Sequence, residues 1–335
     1  MSEREDIRSA EPAESSVASD ATRDVASDVA NDAVEKAADK EGNEAADKAT
    51  EEVATSDPKK TGAESGHRFP GALDIVAMLL LMFVSQLVVG VICSVCGVAI
   101  PTASDIAPSD FETTMSIDIL KGERFAIIYP LSMLAAFISI WLYVRLRDGK
   151  GRIARFSSKG LNPNIILSGF VWLIAAQIVI EPLLEMLPPS ENLGTGRGFW
   201  ASITAIVFAP LFEELICRGV VLETMRRRWG KITSVVLSSL FFGVIHLEPS
   251  VVISAFVAGA IFGTTYLRTE SLFSTMILHA LNNTFAFALI VFGLSEVSFA
   301  ELFGNGPAYY TLYASALAIC AVFSIDAYRK VYRTN

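Results

Sequence analysis

Eight stretches of this 335-residue chain are almost free of charge and long enough, or nearly so, to cross a lipid bilayer: residues 75–100, 125–144, 165–184, 199–217, 233–247, 251–267, 272–294 and 308–327. A bilayer core takes about 20 mostly apolar residues per helix. Runs of this kind lack the polar face that a water-exposed helix needs. In lipid every backbone polar group must find its partner within the protein, which leaves helices and closed barrels. The ten-residue alternation of a lipid-facing barrel strand is missing here. The expected fold class is therefore an all-α polytopic membrane protein of about eight transmembrane helices. Glu248-Pro249-Ser250 alone separates the short fifth and sixth spans, so these read as a tight helical hairpin.

The charges orient the spans. The 145–160 loop carries Arg145, Arg147, Lys150, Arg152, Arg155 and Lys159 against a lone Asp148. The 225–231 turn carries Arg226, Arg227, Arg228 and Lys231, and the C-terminus carries Arg329, Lys330 and Arg333. Loops of the other parity hold Lys121, Arg124 and Arg197. Positive residues stay on the cytoplasmic side, so eight spans with both termini inside satisfy every loop. The expected location is the cell membrane, crossed several times.

Residues 1–68 hold 9 basic and 18 acidic residues, which is the whole net charge of -9, and all 33 aromatic residues lie after them. A segment of this kind cannot bury enough apolar surface to offset its ordering entropy. It reads as a disordered, acidic cytoplasmic tail ahead of a transmembrane domain at 70–330. No cleavable signal peptide is legible, since the first apolar run starts some 70 residues in. The remaining 18 basic and 18 acidic residues cancel. These balances exclude a soluble enzyme domain and a nucleic-acid binder with a basic surface. Cys93 and Cys96 form a C-x-x-C inside an apolar span without flanking charge, which reads as packing rather than redox chemistry.

Ionisable residues inside a span are costly and face the bundle interior or a wet cavity. Gln177, Glu181 and Glu185 sit near the outer end of the third span, where headgroups suffice to explain them. The fourth span is different: it holds Glu213, Glu214 and Arg218. Glu214 and Arg218 are one helical turn apart and can pair. Glu213 is turned about 100° away, so it lacks that cation and can serve as a general base or acid. Phe242 and His246 are one turn apart in the fifth span, and His279 and Asn283 in the seventh. His279 and Asn283 suit a developing oxyanion, a metal or a polar helix contact. Asn282 is expected to face elsewhere. Converging, Glu213, His246, His279 and Asn283 would surround a polar intramembrane active-site cavity able to activate water and hydrolyse an amide. Gly259 and Gly263 would let helices approach closely. Pro210 would free a backbone carbonyl just before Glu213.

In their order and spacing, Glu213-Glu214…Arg218, Phe242…His246 and His279…Asn283 resemble the CAAX-protease and bacteriocin-processing family of intramembrane endopeptidases. The likeness covers residues 199–294 directly. It implies that Glu213, as base, and His246 position the attacking water. His279 and Asn283 would stabilise the oxyanion, and Glu214 and Arg218 would order the fourth helix or bind substrate backbone. The family is often described as metalloprotease, and Glu213, His246, His279 and Asn283 could hold a divalent metal such as zinc. A metal-free glutamate-protease scheme can be drawn from the same groups, and no H-E-x-x-H favours a zinc helix. The implied partners are a membrane-associated protein or peptide substrate and the lipid bilayer, with roles such as bacteriocin immunity, peptide maturation or membrane-protein processing. Two other readings use the same cluster. One is a transporter or proton relay, which calls for inverted repeats that are not legible between the halves. The other is a non-catalytic scaffold.

Overall fold

The computed structural model describes residues 69–101, 111–149, 156–157, 160–188, 196–294, 297–304 and 306–333. The acidic tail expected at 1–68 lies outside the described residues. Every regular element among the described residues is helical. In chain order they are α1 (Ala72–Val95), α2 (Phe111–Asp148), α3 (Pro163–Leu184), α4 (Phe199–Ile203), α5 (Ala209–Glu214), α6 (Glu223–Val244), α7 (Pro249–Thr269), α8 (Leu272–Val291), α9 (Phe299–Phe303) and α10 (Pro307–Ala327). Two π-helical turns, Thr204–Phe208 and Leu215–Leu222, join α4, α5 and α6, and a third, Tyr328–Tyr332, comes after α10.

Six of these helices are long and apolar enough to cross a membrane: α1, α2, α3, α7, α8 and α10. The fourth span expected from sequence is helical but interrupted by π-helical turns, and the fifth, 233–247, falls on the short apolar part of α6 that follows Gly230. Glu213, Glu214 and Arg218 shorten the apolar part of the fourth, and Gly230, at φ 73°, breaks α6 beside the basic residues 226–228. The expected count of about eight is roughly consistent with these six long apolar helices and two shorter helical stretches among the described residues. The hairpin lies where the sequence put it, with α7 starting at Pro249 behind an extended Glu248.

Ion pairs gather alternate loops at each end of the bundle. At one end Arg147 meets Asp74 at 3.2 Å, Arg226 meets Glu270 at 2.7 Å and Arg268 meets Asp326 at 3.0 Å. Arg227 also pairs there with Asp148, and Lys231 donates to the Val331 carbonyl at 2.9 Å. At the other end Arg124 donates to the Gly97 carbonyl at 2.7 Å and the Arg197 amide to the Asp118 carbonyl at 2.8 Å. The described parts of the basic loops therefore share one end.

Asp74 and Glu181 each accept from donors that offset part of their desolvation. Asp74, buried in the first turn of α1, accepts from the Gly71 amide and the Tyr143 hydroxyl, both at 2.6 Å, and from Arg147 Nε at 3.2 Å. Glu181, expected to be a headgroup-facing residue, is half-buried instead. Its Oε1 accepts the Phe299 amide at 2.6 Å, at the start of α9. Cys93 is buried, Cys96 is exposed, and both are free thiols.

Close packing of α6 on α7 depends on glycine. A Cβ on Gly243 would stand 2.8 Å from the Val252 carbonyl oxygen, and one on Gly259 would stand 3.1 Å from Ser239 Cα. The expectation of close approach at Gly259 and Gly263 is met, and it brings α7 backbone within reach of the buried Arg218.

Candidate active site

Pro210 shapes the helix that carries the two glutamates. In the Thr204–Phe208 turn hydrogen bonds skip five residues, so the Ala209 amide donates to the Thr204 carbonyl. The next donor in that register, for Ala205, would be Pro210, which has no N–H. Asn283 Nδ2 on α8 supplies the missing donor to the Ala205 carbonyl at 2.8 Å. The freed carbonyl expected from sequence is thus the point at which α8 is tied to the glutamate helix.

Glu214 and Arg218 pair as their spacing predicts. Arg218 Nη1 donates to Glu214 Oε1 at 2.8 Å, and neither side chain is exposed. Nη2 donates to the Gly259 carbonyl at 2.8 Å, the backbone that the glycine allows to come close. The guanidinium carbon lies 4.8 Å from the centre of the Phe242 ring and 5.3 Å from that of Phe262, so aromatic faces replace water around it.

His279 is held from every side. Its Nδ1 donates to Glu214 Oε1 at 3.0 Å. Its Nε2 faces Glu213 Oε2 at 3.7 Å, and its ring stacks on Phe262 with centres 4.6 Å apart. Arg218, Glu214, His279 and Glu213 thus form one chain of polar contacts on α5, α8 and the turn between α5 and α6. Glu213 lacks a guanidinium partner of this kind, as expected, but it is not free. Its Oε1 accepts the Tyr129 hydroxyl at 2.6 Å.

His246 joins the group through Phe242. The edge of that ring meets the imidazole at a centre distance of 5.0 Å and lies 5.6 Å from His279. His246 Nδ1 is 2.8 Å from the Phe242 carbonyl. A carbonyl only accepts, so Nδ1 carries the hydrogen and Nε2 keeps a lone pair. Leu247, next in the chain, has φ 65°. A left-handed leucine is costly, and it turns the hairpin directly beside His246. Asn282, expected to face elsewhere, donates to Asn283 Oδ1 at 3.3 Å. That bond and the one to Ala205 fix the Asn283 amide and leave one of its two N–H groups uncommitted.

The structure therefore brings Glu213, Glu214, Arg218, Phe242 and His279 into contact, sets His246 against Phe242, and ties Asn283 to the helix carrying Glu213. A polar cavity at this cluster is not shown. Tyr129 and Phe262 were not singled out in the sequence. No signal marked Tyr129, because it stands four residues into the expected 125–144 span, near the interface where tyrosine is common. As for a metal, Glu213 Oε2 and His279 Nε2 could share one edge of a zinc site. Among the described residues, however, no group of three His, Cys, Asp or Glu side chains is placed to hold an ion. The three protein ligands typical of catalytic zinc are not assembled.

A multi-pass helical membrane protein with a carboxylate–imidazole cluster among its helices is the class that this geometry defines. The comparison with family models is more particular: the family described as type II CAAX prenyl endopeptidase Rce1-like matches residues 195–285. The resemblance read from the motifs is borne out, and the matched stretch contains all seven of their residues. At the level of the family this indicates a CAAX-protease-like intramembrane endopeptidase. Neither the curated proteins nor the solved structures compared gave a match to the chain.

Proposed function

We propose that this protein hydrolyses a peptide bond in a membrane-associated protein or peptide, using water activated by Glu213. One observation carries the reading: Glu213 Oε2 and His279 Nε2 face each other at 3.7 Å. That gap is too long for a direct hydrogen bond and wide enough for a reacting oxygen at about 2.8 Å from both. Water in that gap gives one proton to Glu213 Oε2 and directs its other hydrogen to the lone pair of His279 Nε2, the ring carrying its own hydrogen on Nδ1. Its oxygen attacks the scissile carbonyl carbon, and the carbonyl electron pair moves onto oxygen. That oxyanion meets the uncommitted N–H of Asn283, a donor fixed before the charge develops; His279, whose hydrogen is on Nδ1 toward Glu214, serves the water and not the oxyanion. On collapse the C=O re-forms, the C–N bond breaks, and Glu213 returns its proton to the leaving amine.

Glu214 and Arg218 make this arrangement specific. Glu214 accepts Nδ1–H and so sets the direction of the His279 ring, and Arg218 keeps the Glu214 charge compensated where water is absent. No step is routed through a metal ion. The basic end of the bundle is the cytoplasmic one on this reading, with both termini there.

Glu213→Gln tests the reading. Expressed in native membranes, the variant should retain uncut substrates, and mass spectrometry against wild type should show their fragments only where Glu213 is present. Identical fragment sets from both proteins would exclude hydrolysis by this site. Unchanged membrane peptides together with a lost proton flux would favour the relay instead.

A further inference from the structure

The reaction uses one oxygen of Glu213, and the structure commits the other. Tyr129 lies on α2, 84 residues before Glu213 and outside the stretch matched to the family. Its hydroxyl reaches Glu213 Oε1 at 2.6 Å, the length of a charge-assisted bond. The ring is itself located: it packs on Phe125 with centres 5.2 Å apart. Pro130 is the next residue and interrupts the backbone ladder of α2, and Ser132 Oγ donates to the Tyr129 carbonyl at 2.9 Å.

We propose that Tyr129 is a positioning residue for the hydrolysis: its hydroxyl holds Glu213 Oε1 so that Oε2 is the oxygen presented to water beside His279. The inference rests on the proposed hydrolytic function. A glutamate side chain has three torsions, and a general base must be held within a fraction of an ångström of its working position. Arg218 is directed elsewhere: its Nη1 donates to Glu214 and its Nη2 to the Gly259 carbonyl. Oε2 faces only a 3.7 Å gap. The hydroxyl on α2 is the group that fixes the carboxylate plane.

The test is Tyr129→Phe in the full chain, in vesicles, with an internally quenched prenylated CAAX-type peptide as probe. The phenyl ring keeps the Phe125 contact and loses the hydrogen bond. Expected is a kcat lower by about 10- to 100-fold, the scale of a slightly misplaced base, with KM within about twofold and a cooperative melting transition retained. Combining Tyr129→Phe with Glu213→Gln should lower cleavage no further than Glu213→Gln alone. Infrared spectra give a readout that needs no substrate: the carboxylate band lost in Glu213→Gln should shift in Tyr129→Phe. An unshifted band, an unchanged kcat, or a raised KM at constant kcat overturns the proposal. Should Glu213→Gln itself cleave like wild type, the hydrolytic reading falls first; should Tyr129→Phe alone be silent, only the positioning role falls.

Discussion

Arg218→Met removes the one cation within the polar cluster and replaces it with a side chain of similar length. In the structure Arg218 is 0% exposed and makes two hydrogen bonds of 2.8 Å, to Glu214 and to the Gly259 carbonyl. Breaking a buried pair from one side costs about 3–5 kcal/mol, because the partner is left charged and unpaired. The contacts with Phe242 and Phe262 add about 0.5–2 kcal/mol each at most, and these terms are not additive. A loss of about 3–5 kcal/mol changes the folded-to-unfolded ratio by roughly 100- to 5000-fold. Thermal unfolding in detergent, monitored by tryptophan fluorescence, should show a clear drop in melting temperature for Arg218→Met. Glu214→Gln combined with Arg218→Met removes both charges and should recover part of that loss. The double variant should still cleave poorly, because His279 Nδ1 has lost its carboxylate acceptor. Stability and activity thus separate in one pair of variants. If Arg218→Met melts like wild type, the Glu214–Arg218 pair is not a buried anchor of the fold. If the double variant regains full activity, His279 does not depend on Glu214.

The same geometry sets two further outcomes. Asn283→Ala should lose about 2.7–4 kcal/mol of transition-state stabilisation, a kcat lower by about 100- to 1000-fold, if its uncommitted N–H meets the oxyanion; steady-state kinetics on the quenched peptide would read it, and a loss below tenfold would remove Asn283 from that role. Because no group of three His, Cys, Asp or Glu side chains among the described residues is placed to hold an ion, cleavage should persist after chelator treatment and dialysis, with metal content tracked by mass spectrometry; activity that disappears with zinc and returns with it would contradict the metal-free scheme.

The membrane-spanning pattern was legible because it needs only composition over about twenty residues, and the grouping of loops because basic residues were concentrated in alternate ones. The contacts one helical turn apart were also legible: Glu214 with Arg218, and Phe242 with His246, are set by helix geometry alone. Contacts between helices were not. Tyr129 is 84 residues from Glu213, and nothing in either local sequence encodes their meeting. The π-helical turn at Leu215–Leu222 alters which side chains share a face after Glu214, so a strict wheel of about 3.6 residues per turn misplaces the residues beyond it. Glu181 illustrates a different limit. Its position near a span end fitted headgroup exposure, whereas its true partner is the amide of Phe299 on a later segment. Pro210 was read correctly as freeing a carbonyl, but the identity of that carbonyl depended on the π register.

The most direct test of a Glu213-driven hydrolysis is cleavage of the quenched prenylated peptide in oxygen-18 water by vesicles carrying wild type or Glu213→Gln. Wild type should release a fragment whose new C-terminal carboxylate carries one heavy oxygen, and Glu213→Gln should release none above background. Labelled fragment at equal rates from both would show that another group activates the water.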